Sequence, residues 1–509
     1  MNTKTKSLDV MSHFKRFLIG SKVSKPSKPI GGWTKKCAIT VTSSILFLGV
    51  EGVRQAAADE VTKWNETASQ AAFDSGLAGN PPFHSRVNAM THAAIHDALN
   101  AINRLYRPYA LDIPATAGAS PEAAAATAAH TVLLDQFNRL IAFGFPSQQA
   151  TLDAAYAASL ALIPDGAAKT SGIAIGEAAA AAILALREND GWDTQTVQDF
   201  NNPQGTAPGE YRFTPPFNFV LLPQWGTLPP FTLHNAAQFR PGAPYLIKSK
   251  RYTEDFNEVK SLGGDGITTP SARTADQTEI ALFWYESSPL QWNRIARSVS
   301  ATAGVTLWEN ARLFGLLNLA MADGYIATFD AKSHYNYWRP ITAIREAATD
   351  GNPDTTPDPT WTPLLDTPPI PDYDSGHSVE GGAAAQVLKR FFGTDTVSFS
   401  TCSTTLPAGS NCNDPSPVTR SYTSFSQAAD ENGLSRILVG IHFRKAVTEG
   451  IEHGCKIGDQ AVNLYLQPVQ NDLCSQHDDN KHGNKHGNKH DNKHDNKHGN
   501  KHGNKHHGK

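Results

Sequence analysis

A chain of 509 residues, 40% apolar and 18% charged, has ample material for a large core and is globular rather than disordered in composition. Its net charge of −3 hides an asymmetry, because residues 1–58 carry +8, residues 475–509 carry +4 and the body between them −15. An acidic body argues against nucleic acid as the main partner, so any anion site must be a local cluster of Lys and Arg.

Residues 1–58 read as an export signal, predicted to be cleaved. Lys35-Lys36 precedes an apolar run from Cys37 to Val50, which stops at Glu51, and Ala56-Ala57-Ala58 offers a small-residue cleavage site. The run is short for a bilayer span; an uncleaved anchor is the alternative. No later segment reads as a transmembrane helix, so a secreted or periplasmic protein, not embedded in a membrane, is expected. Beyond Cys37 in the leader the chain has Cys402, Cys412, Cys455 and Cys474. An even number in an exported protein suggests disulfides, most simply Cys402–Cys412 and Cys455–Cys474, with the other pairings open.

Helical patterns follow at 60–75, 84–104, 120–143, 147–162 and 168–188, several of them Ala-rich. Residues 190–274 turn to Pro, Gly, Asn and aromatics and read as a long ordered loop region with short strands at most. Helical pattern returns at 275–287, 290–302 and 305–330. A Pro-rich loop at 351–374 precedes helices at 377–392, 424–438 and 444–466. An all-α protein of helical bundles with long Pro-rich loops is predicted. Its N-terminal helical half is 59–274 and its C-terminal half 275–474. The tail, 475–509, repeats Asn-Lys-His-Gly or Asn-Lys-His-Asp, holds no apolar residue and is expected to be disordered. Its imidazoles suit loose binding of divalent metal ions, or simply add charge below roughly pH 6.5.

Three short stretches carry the chemistry. In the first, Lys332 and Arg339 are seven apart and Pro340 follows. Seven residues are nearly two helical turns, but Pro340 disfavours helix at Arg339, so a helix ending near Trp338 and a new one starting at Pro340 are predicted. The second is Asp374-Ser375-Gly376-His377, ahead of a helical run. Ser375 or Asp374 is placed as N-cap, with Gly376 in the first turn, where free N–H groups and the helix dipole favour an anion. In the third, Arg436 and His442 are six apart, about 120° around a helix, and Gly440 offers a break that turns His442 toward Arg436. Each stretch alone has a plain structural reading: a solvated basic face, a capped helix start, a core histidine. Together they supply cationic forks, a point charge, neutral donors and two imidazoles, a set suited to a tetrahedral or trigonal-bipyramidal oxyanion. A separate pair, His92 and His96 followed by Asp97, has metal-binding spacing but no evident third ligand.

The order and inner spacing, Lys-x6-Arg-Pro, then Ser-Gly-His, then Ser-Arg-x5-His, resemble the vanadium-dependent haloperoxidases and the type 2 phosphatidic acid phosphatase superfamily. The resemblance is sharp over about 332–445 and looser at Trp64-Asn65-Glu66 and Ala89–Asn100. It implies that Lys332, Arg339, Ser375, Gly376 and Arg436 hold the equatorial oxygens of vanadate or phosphate. His442 is then the axial ligand of vanadium, and His377 the acid–base group; Lys332, His377 and His442 are the implied catalytic residues. The cofactor implied is vanadate, with hydrogen peroxide, halide and a small organic acceptor as partners and hypohalous acid as product. Two departures stand out. The family usually has Pro before Ser-Gly-His, where this chain has Asp374, a carboxylate unfavourable beside an anion unless it caps the helix or pairs with Arg or Lys. No Asp follows His442, where the phosphatases place one to orient the imidazole; the run is Phe443-Arg444-Lys445-Ala446, which leans toward the peroxidase branch. A metal-independent phosphatase with His442 as nucleophile is the rival reading. A non-enzymatic, metal-binding protein acting through its His-rich tail is the third. His334, Tyr335 and Tyr373 are near enough in sequence to bear on halide preference.

Overall fold

A computed structural model describes residues 59–194 and 196–469. The export signal, Cys474 and the His-rich tail lie outside the described residues. Thirteen α-helices occur among the described residues. Six precede the C-terminal half: α1 (Glu60–Asp74), α2 (Pro81–Asn100), α3 (Pro121–Leu140), α4 (Gln149–Ala161), α5 (Ala167–Leu186) and α6 (Lys250–Leu262). Seven follow: α7 (Ala275–Phe283), α8 (Ser288–Ala303), α9 (Leu307–Tyr335), α10 (Pro340–Glu346), α11 (Gly376–Phe392), α12 (Phe425–Leu438) and α13 (Arg444–Leu464). The all-α expectation holds.

Helix starts follow local chemistry. The Asp59 and Ser120 side chains accept from the backbone N–H of Thr62 and Ala123. Thr306 and Glu309 close a capping box on α9. Small residues then set the packing distances. A Cβ on Gly176 of α5 would lie 2.5 Å from the Ala124 carbonyl of α3, so the two Ala-rich helices approach at backbone contact. By length and apolarity α5 also qualifies as a membrane span, the one such helix among the described residues; its Gly172, Ile175, Gly176, Ala179, Ala180 and Ile183 are buried.

The 29-residue α9 is the axis of the molecule. It packs on α2 on one side and on α11 on the other, and α11 packs on α13. One hydrophobic core therefore runs from Val61 to Leu466. A second, smaller core joins Tyr252, Phe256, Trp338, Ile344, Trp361, Ile437 and Phe443 beneath the loops.

The structure differs from the sequence reading in three places. Residues 190–274 contain, besides the short antiparallel pair Gln198–Asp199 with Val220–Leu221, the whole helix α6. Its Ser249 cap and its Tyr252, Phe256 and Val259 stripe sit among Pro- and Gly-rich neighbours that mask the period. A hairpin pairs Phe399–Thr401 with Arg420–Tyr422, and its loop is closed by the predicted Cys402–Cys412 disulfide. Finally, α9 ends at Tyr335, three residues before Trp338, because Asn336 adopts a left-handed conformation (φ 43°) and its N–H caps onto Lys332. Cys455 is a free thiol among the described residues.

Candidate active site

Four structural junctions converge on one pocket. The last turn of α9 supplies Lys332, which is 2% exposed. Its ammonium donates to three carbonyls of the Pro-rich loop: Pro371 at 2.8 Å, Asp372 at 2.9 Å and Asp374 at 2.6 Å. Burial, and the neighbouring Arg339 charge, push its pKa down to about 7, while Asp372 and Asp374 oppose that shift. Arg339 is the N-cap residue of α10, in extended conformation, as the Arg-Pro pair predicts. Its Nε donates to the Ile370 carbonyl at 2.7 Å and its Nη1 to the Ile441 carbonyl at 2.8 Å. So Lys332 and Arg339 do not share one helical face; the Asn336 turn redirects the chain between them.

The loop 351–374 delivers Ser375 as the N-cap of α11 and Gly376 as its first residue. Ser375 Oγ accepts from Ser378 Oγ at 2.9 Å rather than capping the helix. A Cβ on Gly376 would meet a Tyr325 ring carbon at 3.6 Å and the Thr328 methyl at 3.9 Å, ordinary van der Waals contact. His377 Nε2–H donates to the Glu286 carbonyl at 3.2 Å. Burial, and after it the Arg436 charge, hold its pKa well below the usual imidazole value.

Arg436 lies near the end of α12 and is 1% exposed. One arm donates to the Trp284 carbonyl at 3.0 Å, and the guanidinium lies over the Tyr285 ring. Its Nε and Nη2 are buried with no partner among the described residues. The predicted break is present: α12 ends at Leu438, Gly440 takes φ 89°, and His442 sits in the short link to α13. His442 Nε2 accepts from Arg339 Nη1 at 3.0 Å. An acceptor Nε2 puts the proton on Nδ1, 2.8 Å from Asp372 Oδ1. Burial and then the charges of Arg339, Lys332, Arg436 and His377 keep this imidazole neutral, its pKa well below the usual value. The seven sequence-predicted residues therefore fall in one buried cluster, in which the charges of Lys332, Arg339 and Arg436 act on His442.

Several neighbours escaped the sequence reading. Asp372, 0% exposed, faces His442 and lies 3.9 Å from Arg339. Burial pushes its pKa up to about 7 against the pull of Arg339 and Lys332. It lies on the Nδ1 side of His442, although the 2.8 Å contact falls outside hydrogen-bond geometry. The only sequence signal was a second acid two residues before Asp374. Asp374 also departs from expectation, because its carboxylate neither caps α11 nor pairs with Arg or Lys. It accepts from Thr328 Oγ1 at 2.5 Å and from His453 Nδ1 at 2.8 Å. Glu380, one turn after His377, is fully buried with both oxygens unpartnered, which drives its pKa well up and leaves it neutral. A cavity of about 680 Å³ opens between α1 and α8, lined by none of the seven predicted residues. Two of its lining residues, Arg294 and Thr404, bind the Glu286 carboxylate, each at 2.6 Å.

The donor set fits an oxyanion. Two orphaned, buried guanidinium nitrogens, a glycine at a helix start and a neutral imidazole belong to this cluster, and an anion would satisfy the orphans. No group of three or more His, Cys, Asp or Glu among the described residues forms a cation site. His92 and His96 belong to the core: His92 Nε2 accepts from Asn65, and His96 Nδ1 faces Asp97.

Comparison with known proteins bears on the family and the fold. Residues 312–471 match the family model described as the VCPO second helical-bundle domain. The vanadium chloroperoxidase of Curvularia inaequalis is 26% identical over 475 residues, spanning 72% of this chain and 74% of that protein. Among solved structures, the first bacterial vanadium-dependent iodoperoxidase superposes with a TM-score of 0.66 at 24% identity, over 81% of this chain and 98% of that one. A holo-type bacterial vanadium-dependent chloroperoxidase superposes with a TM-score of 0.58 at 18% identity, over 75% and 92% of the two chains.

Proposed function

We propose that this chain is a member of the vanadium haloperoxidase family, as its match to that family's domain and its likeness to such enzymes support, and that it is a vanadate-dependent haloperoxidase acting outside the cytoplasm. The observation that carries the reading is the pair of buried Arg436 nitrogens without partners among the described residues, whose charge is close enough to help keep His442 neutral. In this proposal Arg436, Arg339, Ser375 and the Gly376 amide would hold the oxygens, Lys332, its three N–H groups held by loop carbonyls, would add its charge, and His442 Nε2 would be the ligand of the central atom. Bound vanadate supplies a Lewis-acid centre at which peroxide becomes able to oxidise halide to hypohalous acid.

The protein's own contributions follow from the geometry. Arg339 and Arg436 are fixed by carbonyl acceptors, so their charge is in place before any negative charge shifts. Asp372, 2.8 Å from Nδ1, electrostatically favours the tautomer that leaves Nε2 without a proton. His377, its Nε2–H resting on the Glu286 carbonyl, is the proton carrier, and burial keeps it in the base form. The Cys402–Cys412 disulfide supports an oxidising compartment.

The phosphatase reading retains one specific support. Asp372 places a carboxylate on the Nδ1 side of His442, so the absence of an acid after His442 does not decide between the two activities. The deciding experiment measures halogenation of a phenolic dye by peroxide and halide, with and without orthovanadate, alongside phosphatase turnover of the apo protein. Vanadate-dependent halogenation is expected; phosphatase turnover without it would overturn the proposal. His442→Ala is expected to abolish activity, and survival of both activities in that variant would refute the site assignment.

A further inference from the structure

Asp374 occupies the position where proline is usual in the resembled family, so something other than a pyrrolidine ring must hold this link of the loop. We infer that His453 and Thr328, acting through the Asp374 side chain, are positioning residues for the oxyanion pocket; this rests on the reading of the pocket as an oxyanion site.

The geometry is specific. The Lys332 ammonium has three N–H groups, and all three go to carbonyls of residues 371, 372 and 374. The position of that charge is therefore set by the loop, and most closely by Asp374, the nearest of the three acceptors. Asp374 is gripped from two helices. Thr328 lies one turn before Lys332 on α9, so both reach the loop from one face of that helix. Its Oγ1 lies 2.5 Å from Asp374 Oδ1 and 3.3 Å from the Asp374 carbonyl. From α13, His453 Nδ1 lies 2.8 Å from Oδ2.

His453 is 1% exposed and its Nε2 has no partner. A proton on Nε2 would bury an unsatisfied N–H, so the proton belongs on Nδ1, donated to the carboxylate. Around His453, α13 lies against the start of α11. A Cβ on Gly450 would fall 3.0 Å from the Ser375 carbonyl, and one on Gly454 would fall 2.0 Å from the Val379 carbonyl. The Ser375 N–H donates to the Ala446 carbonyl of the same helix at 3.1 Å. The last helix thus touches both residues flanking the Asp374–Ser375 bond, and His453 is its only side chain bonded to that carboxylate among the described residues.

Apo protein is titrated calorimetrically with inorganic phosphate and, separately, with orthovanadate, with thermal unfolding of each ligand-free variant as the folding control. His453→Leu is expected to weaken both anions on the order of tenfold or more with the fold retained. His453→Gln, whose amide can donate to the same oxygen, is expected to restore most of the affinity. On an Asp374→Pro background, His453→Leu is expected to cost little further, because no carboxylate remains to be held. If His453→Leu does not fold, Thr328→Val decides, because it removes the other donor to the same carboxylate. Wild-type affinity in the decisive variant overturns the inference. So does an undiminished effect of His453→Leu on the Asp374→Pro background, or failure of His453→Gln to rescue. Should the wild type bind neither anion, the oxyanion reading falls and this inference with it; wild-type binding with indifferent variants removes this inference alone.

Discussion

Replacing Lys332 by Met tests the electrostatics of the pocket without any ligand present. The folded pKa of Lys332 is pushed down to about 7 from the usual 10.5. Below pH 7 the ammonium is charged in both folded and unfolded protein, and its burial penalty is fully expressed. As pH rises from 7 toward 10.5, the unfolded chain holds more protons than the folded one, so the wild type gains stability relative to a variant lacking the group. A drop of that size corresponds to roughly 5 kcal/mol over the whole interval, with a limiting slope of about 1.4 kcal/mol per pH unit. Two side effects are known in advance. Met leaves the carbonyls of residues 371, 372 and 374 without this donor, a cost of about 1–3 kcal/mol each that does not vary with pH. Loss of Lys332 also removes a charge that holds Asp372 down, so Asp372 stays protonated to higher pH in the variant, which adds to the same sign. The measurement is urea unfolding of wild type and Lys332→Met in phosphate-free buffers between pH 7 and 9.5. Wild-type stability minus variant stability should rise throughout. A flat or falling difference would show that Lys332 is not a buried, depressed ammonium and would refute the electrostatic picture of the site.

Three further outcomes follow from other parts of the structure. Arg436→Met should cost the ligand-free protein little, since two buried N–H groups already lack partners. It should nevertheless erase the stabilisation by phosphate or vanadate, about 2.7 kcal/mol for the wild type at a hundredfold excess over Kd; thermal unfolding with and without anion reads both. Gly454→Ala forces a Cβ to 2.0 Å from the Val379 carbonyl; overpacking of about 3 kcal/mol outweighs the about 1 kcal/mol gained in helix propensity, and chemical denaturation should show the net loss. Opening the Cys402–Cys412 loop by a double Ser substitution should lower stability by about 2–3 kcal/mol, read as a fall in Tm.

Much of this molecule was legible in one dimension. Helix period, Ala content, N-caps and the Arg339-Pro340 and Gly440 punctuation depend on residues a few positions apart, so the bundle helices and their breaks could be read directly. That the seven candidate residues sit at helix ends was legible for a related reason: there local sequence dictates which backbone groups are left free. The helix α6 was hidden because its short apolar stripe lies within a Pro- and Gly-rich region whose composition points to loop. What surrounds the anion space depended on packing between distant segments. Asp372 reaches His442 across seventy residues, Glu286 meets His377 across ninety-one, and His453 and Thr328 converge on Asp374 from two helices. The chemistry of Asp374 turned on this last arrangement. A carboxylate next to an anion site reads as a liability in sequence. In the fold it is neither a cap nor an Arg or Lys partner but the bonded link between α9, α13 and the loop that carries the pocket, because burial makes every hydrogen bond it accepts count and the backbone approach permitted by Gly450 and Gly454 brings the donor on α13 within reach.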